Sequence, residues 1–351
     1  MTKKKDKSTK KKSGDPGLTV SEQADLDHQA HVATQLELRD LADSRNLGKI
    51  RQMIAASAEA CERIPVPPPF QLRESTTKPL AEPVLLLSDW HIGDVVRAEE
   101  TEGFGEFNWE IAQQRVAYLY AEFMQYIRGQ RSLYHIPNLS IFVLGDLVSG
   151  GIHDELRTNE EWPPPVQACN AGKLLARIVG DLGKHFEKVH TTFIGADNHS
   201  RITQKPRCKG KAMWSWSYVV DEMFRATLPD ASERFIVDSP EAMQAIVDVQ
   251  GTRFLVMHGD TIKSWCNIPY YGLDRRVAQE AVRRMGTDKE FDIMVLGHFH
   301  TPIVLPRLIM NGALQGTTEY DFSCGRYGRA SQVSFLVHPE HGVYNHTQWW
   351  L

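Results

Sequence analysis

Five times between residues 80 and 300 a strand-length apolar run ends in a short polar cluster, a recurrence that restricts the chain to a layered α/β architecture. The clusters are SDWHIGD (88–94), LGDLVSGG (144–151), GADNHS (195–200), MHGD (257–260) and GHFH (297–300). The runs before them predict strands at 84–88, 139–144, 189–194, 254–258 and 292–296. Helices are predicted at 109–128, 166–185, 213–228 and 273–285, and further strands in 302–310, 332–337 and 343–349. In open α/β sheets ligands bind in the crevice beyond the carboxyl ends of the strands, so the five clusters are expected to converge.

The rest of the chain is organised differently. Residues 1–17 are Lys-rich and almost without apolar groups, and are expected to form a disordered tail. Across 18–63, apolar residues such as Leu36, Leu41, Ile50 and Ile54 recur at helical spacing, predicting a helical segment that serves as a homodimer or protein-partner interface or packs on the main domain. The run IPVPPPF opens a Pro-rich linker at 64–79, and the main domain is expected to occupy 80–351. No apolar run approaches the roughly 20 residues a bilayer span needs. The basic N-terminus leads into no apolar core of a secretory signal. The expectation is a cytoplasmic protein that makes no use of a membrane. Five cysteines without CxxC spacing exclude a zinc-thiolate cluster and a disulfide framework. The net charge of −4 provides no global attraction to nucleic acid, so any such affinity has to come from local patches.

The five clusters supply Asp, Asn and His donors and no thiolate, a mixture suited to Mn, Fe, Zn or a similar divalent ion. In Asp89-x-His91 and His298-x-His300, donors two residues apart can reach one site from an extended turn. A carboxylate such as Asp146 can bridge two cations about 3.5–4 Å apart. Glycines at 93, 145, 195, 259 and 297 are expected to let the backbone bend close to the ions.

Taken in order, D-x-H, G-D, N-H, H and G-H-x-H resemble the calcineurin-like metallophosphoesterases over about residues 80–350, closest in flavour to the repair-nuclease and phage-type phosphodiesterase branch. The resemblance implies an αββα sandwich, two packed mixed sheets flanked by helices, and two divalent metal ions, with Mn favoured over Fe, Zn or Mg. It implies one ion held by Asp89, His91, Asp146 and His300 and the other by Asp146, Asn198, His258 and His298. Asp146 is then the catalytic bridge, and His199 the residue that contacts the phosphate and protonates the leaving oxygen. The implied reaction is hydrolysis of a phosphoester by a hydroxide that the ions generate. The family's usual G-N-H-D/E reads here Asp197-Asn198-His199-Ser200, without the carboxylate that usually orients the histidine. The second cluster lacks the arginine of the Ser/Thr protein phosphatases.

Substrate is weighed on a basic stretch, Arg201, Lys205, Arg207, Lys209 and Lys211, that runs into Trp214, Trp216 and Tyr218, a mixture able to hold phosphates and stack bases. Arg201, Lys205, Arg207 and His153 are the candidate substrate contacts, with Arg157, Lys263 and Arg326 as weaker ones. The opposing reading is a solvated loop before a helix whose aromatics are core. The expectation is a phosphodiesterase acting on nucleic acid, with a phosphomonoesterase on a small molecule or phosphoprotein, or an inactive metal-binding interaction module, as alternatives.

Overall fold

The computed structural model describes residues 45, 47–57, 59, 78–152, 156, 160–229, 233–263 and 269–351. The chain divides into two compact units, 1–53 and 54–351. In the first, residues 47–53 are helical. The expected tail at 1–17, most of the 18–63 segment and the linker lie outside the described residues.

In the second unit the strand that opens the domain, β1 (Glu82–Leu87), begins a β-α-β succession: α1 (Trp109–Gln130), β2 (Asn138–Val143), α2 (Pro164–Leu182), β3 (Lys188–Phe193), α3 (Trp216–Thr227) and β4 (Phe235–Asp238). β1, β2, β3 and β4 pair in parallel in that order. The last two strands, β10 (Ser331–His338) and β11 (Gly342–Trp350), return antiparallel on the other side of β1. The second sheet, in the order β5-β6-β7-β9-β8, is built from β5 (Gln244–Val249), β6 (Thr252–Met257), β7 (Ile293–Leu296), β8 (Ile303–Leu305) and β9 (Leu308–Met310). Helix α4 (Tyr270–Arg284) joins β6 to β7, and a short α5 (Glu319–Ser323) precedes β10. Both sheets are mixed, as the sequence led one to expect.

The apolar runs are continuous because the strands are covered on both faces. Val84, Leu86, Phe142 and Ile194 of the first sheet and its loops pack against Phe254, Val256, Val295 and Ile309 of the second. Leu255, Met257, Met294 and Leu296 alternate to the opposite face, where Leu273 and Val277 of α4 cover them. Each such side chain taken from water contributes about 1.5–3 kcal/mol. Phe254 lies 5.6 Å, centroid to centroid, from both Phe142 and Phe335, so one ring couples three strands in two sheets.

Two strands escaped the sequence pattern. β4 and β5 are largely unburied, with a mixed alternation, and carry no strand-length apolar run. Among the described residues no helix is long and apolar enough to cross a membrane.

Candidate metal centre

All five clusters leave the carboxyl ends of central strands, β1, β2 and β3 in one sheet and β6 and β7 in the other, and the packing of the sheets brings those ends together. Backbone hydrogen bonds continue past the strands: Asp89 N donates to Gly145 O (3.1 Å), His91 N to Asp146 O (3.1 Å) and Gly297 N to His258 O (3.0 Å). Five donor-bearing residues take the left-handed conformation, Asp89, His91, Asp146, His298 and His300, at φ of 53°, 46°, 49°, 71° and 59°. A non-glycine residue there carries strain of about 1–2 kcal/mol. Its repeated appearance at one spot makes that spot the candidate functional site. Gly145 is required twice over: its φ is 91°, and a Cβ would sit 2.7 Å from Asp197 Cβ. Gly195, by contrast, has no positive φ and no close neighbour, so the sequence-based reason for a glycine there does not hold.

Three overlapping groups bring their ligand atoms within 4.8 Å of one another: Asp89, His91 and His300; His91, Asp146 and His199; Asp146, His258 and His298. Asn198 joins the third through Oδ1, 2.9 Å from His258 Nε2. The protonation pattern decides what this cluster fits. His258 Nδ1 lies 2.7 Å from the carbonyl of Leu144, which can only accept, so Nδ1 carries hydrogen. In the neutral ring Nε2 therefore turns a lone pair toward Asn198 Oδ1 and toward Asp146 Oδ2 at 3.0 Å. Asp146 Oδ2 is buried and has no hydrogen-bond partner. Three electron-rich atoms facing one another out of water require a positive centre, which is a proton on Nε2 or a cation. The donor set, imidazole, carboxylate and amide oxygen without thiolate, fits divalent ions.

The titration of the metal-free site carries the same demand. Burial pushes the His258 ring down, but the Asp146 carboxylate beside it outweighs that and raises it to about 10. Burial would push Asp146 up, yet the charge of His258 holds it well below the usual carboxylate range. Burial raises Asp89 to about 7, with the Asp146 charge adding to the rise. Burial also keeps three further rings neutral: His298 falls to about 3 and His300 to about 4, with His91 well below its ordinary value.

Several supporting residues were not legible in the sequence. Ser88 Oγ donates to Asp89 Oδ2 (2.5 Å) and accepts from Asn311 Nδ2 (2.9 Å), while Gln332 Oε1 receives Ser88 N (3.0 Å). Asp197 is buried and accepts four hydrogen bonds, from Asp146 N (3.0 Å), Ser217 Oγ (2.6 Å), Ser200 N (2.9 Å) and Ser200 Oγ. His199 has no carboxylate behind it; Nδ1 lies 2.8 Å from the carbonyl of Ser149, which fixes the ring and its tautomer. Polar side chains at interior positions near strand ends were the one available signal, and only Gln332 and Ser88 offered it.

The candidate substrate contacts fare unevenly. Arg201 gives Nη1 to Asn198 O (3.1 Å) and Nε to Thr203 O (3.2 Å), so it braces the loop that carries Asn198. Arg207 donates to Lys209 O (3.0 Å) and covers the Trp214 ring, and Lys211 pairs with Asp260. Lys205 and Lys263 are exposed. His153 and Arg157 lie outside the described residues. Trp214, Trp216 and Tyr218 are half-buried, nearer to the core reading than to a stacking surface.

Two mixed sheets flanked by helices, with their central strand ends meeting, agree with the sandwich that the motif order D-x-H, G-D, N-H, H, G-H-x-H implies. The architecture is consistent with the calcineurin-like metallophosphoesterase sandwich. No protein-family model matches the chain, and no curated protein matches it in sequence. Solved structures align loosely. Vps29 from Entamoeba histolytica, complexed with zinc, is 10% identical over 76% of this chain and 98% of that one, at a TM-score of 0.29. Vacuolar protein sorting 29 from Cryptosporidium parvum is 11% identical over 78% and 100%, at 0.31. A predicted phosphoesterase from Streptococcus pneumoniae is 11% identical over 77% and 98%, at 0.26. Superpositions this loose add nothing to what the strand order and donor set carry.

Proposed function

We propose that the chain is a dinuclear-metal-dependent phosphoesterase that hydrolyses phosphodiester bonds in nucleic acid. The observation that carries the reading is the meeting of His258 Nε2, Asn198 Oδ1 and Asp146 Oδ2 in a buried site. Asp89, His91, Asp146 and His300 are proposed to hold one ion, and Asp146, Asn198, His258 and His298 the other. Bound there, divalent ions supply Lewis acidity toward a phosphoryl oxygen and lower the pKa of water. The chain's own part is to present neutral imidazoles and two carboxylates already pointed inward, with strain and hydrogen bonds preset so that little reorganisation is needed. His199 lies at the edge of the cluster, its ring 4.5 Å from that of His91. With Nδ1–H committed to Ser149, Nε2 is the atom left to face a leaving oxygen, and it hands over a proton when the ring is in its imidazolium form.

Manganese-loaded protein assayed on bis-p-nitrophenyl phosphate, p-nitrophenyl phosphate, and single- and double-stranded DNA tests the reading. Turnover of the diester and of DNA is the expected result; turnover of the monoester alone would overturn the diester assignment, and two bound metals without turnover would mark a binding module. His199→Gln is expected to lower kcat about 10²-fold with metal content unchanged, as measured by elemental analysis beside steady-state kinetics.

Metal uptake has a pH signature. In the metal-free chain His258 titrates at about 10 and Asp89 at about 7, so at pH 7 the first carries a proton and the second is partly protonated. An entering cation displaces both, releasing roughly one to two protons per chain. Raising the pH removes the competing protons, so affinity is expected to climb from about pH 6, more steeply below about 7 where both groups compete, and on up to about pH 10. Calorimetric titration with Mn²⁺ in buffers of different ionisation enthalpy counts the protons; zero release would contradict the assigned ligands.

A further inference from the structure

The aromatic surface the sequence placed at 214–218 lies elsewhere. Phe104, Tyr320 and Tyr327 are 56%, 62% and 66% exposed, and they share one lobe made of the loop 97–105 and the segment 317–328. Phe104 stacks on Phe322 at 6.1 Å and meets Tyr327 edge-on at 5.9 Å, and the Arg326 guanidinium lies 5.0 Å over Tyr320. The lobe is held in shape. Thr318 and Asp321 form a capping box on α5, Arg97 N donates to Glu319 Oε1 (2.9 Å), and Thr317 Oγ1 donates to Gly328 O (3.0 Å). Gly105 lies so close to the Thr317 carbonyl that a Cβ there would overlap it.

The lobe is continuous with the candidate metal centre. Leu314 N donates to Asp89 O (2.9 Å) and Gln315 Nε2 to Asp94 Oδ2 (3.1 Å) just before the segment begins. A Cβ on Gly328 would lie 4.0 Å from the His300 carbonyl.

Composition narrows the occupant. Neither 97–105 nor 317–328 contains Leu, Ile, Val or Met, the residues of an aliphatic docking face. Arg97 and Arg326 stand against Glu99, Glu100, Glu102, Glu319 and Asp321, a net charge of 2 − 5 = −3 over the two segments. That balance favours a flat uncharged ring on the lobe and leaves the phosphates to the metal centre beside it. We propose that this aromatic rim stacks the nucleobase next to the scissile phosphate, so that the nucleotide being cut is held by its base as well as by its phosphate. The proposal rests on the phosphoesterase reading above.

The test compares, by calorimetry on the manganese-loaded full chain, deoxyadenosine 5′-monophosphate with 2-deoxyribose 5-phosphate, which lacks the base. The nucleotide is expected to bind at least about fivefold tighter. Tyr320→Ala with Tyr327→Ala is expected to erase that preference, and Tyr320→Phe with Tyr327→Phe to restore it, since the rings and not the hydroxyls stack. These side chains are exposed, so the melting temperature should stay within a few degrees. Equal binding of the two phosphates by the wild type, or a preference that survives the alanine pair, overturns the rim while diester turnover leaves the phosphoesterase reading standing. Absence of both phosphate binding and diester turnover removes the underlying reading and the rim with it.

Discussion

Replacing Asp146 with alanine is expected to eliminate diester turnover, by at least about 10⁴-fold, and to drop the metal content from two ions to less than one. Asp146 belongs to two of the three donor groups, and no other carboxylate does. Its Oδ1 accepts His199 N (2.9 Å), its backbone carbonyl accepts His91 N (3.1 Å), and its Oδ2 lies 3.0 Å from His258 Nε2. Its removal also takes away the charge that keeps the His258 ring protonated in the metal-free chain. Alanine at φ 49° adds backbone strain, so Asp146→Asn is the stricter variant. The amide keeps the shape and an acceptor for His199 N while losing the charge. Elemental analysis and turnover are the measurements; an asparagine variant that keeps two metals and turns over within about tenfold of wild type would remove Asp146 from its proposed role.

That prediction could be framed from the sequence because the elements behind it are local. An apolar run such as 139–144 followed by Gly145-Asp146 announces a strand and the turn at its end. β2 ends one residue short of the expected limit, at Val143, and the turn follows where it was placed. The helix read at 109–128 runs to Gln130, opened by Asn108, whose Oδ1 accepts Ile111 N (2.9 Å). What the sequence withheld depends on distance along the chain. Asn311 reaches Ser88 across 223 residues, and Gln332 meets the same serine across 244, and no local pattern encodes either contact. The basic stretch was misleading for a similar reason: the guanidinium groups of Arg201 and Arg207 are turned onto backbone carbonyls that only the folded loop brings near. The exposed rings of 320–327 carried no signal, because an aromatic residue in a short apolar-poor segment reads equally well as buried or exposed.

Asp197→Ala is expected to destabilise the domain by about 3–5 kcal/mol and to cut turnover by about 10²-fold. In the resembling family a glycine stands at this place and a carboxylate follows the histidine; here the carboxylate stands two residues before it. Its oxygens accept two backbone N–H groups, from Asp146 and Ser200, and two hydroxyls, from Ser200 and Ser217. Burial raises the pKa of this carboxyl, and the Asp146 charge adds to the rise, so its ionised form is held against a cost that the four donors offset. Alanine leaves the donors buried, each at about 1–3 kcal/mol, less whatever the hydroxyls recover by turning. It also frees Asp146 N, one of the anchors of the strained turn that aims the proposed bridging carboxylate, and a displacement near 1 Å there suffices for the loss of rate. Chemical denaturation reports the first effect, and kinetics at saturating Mn²⁺ below the melting temperature the second. A serine pair able to satisfy each other would leave stability within about 1 kcal/mol of wild type; with unchanged turnover, that outcome would show that Asp197 only fills space between β2 and α3.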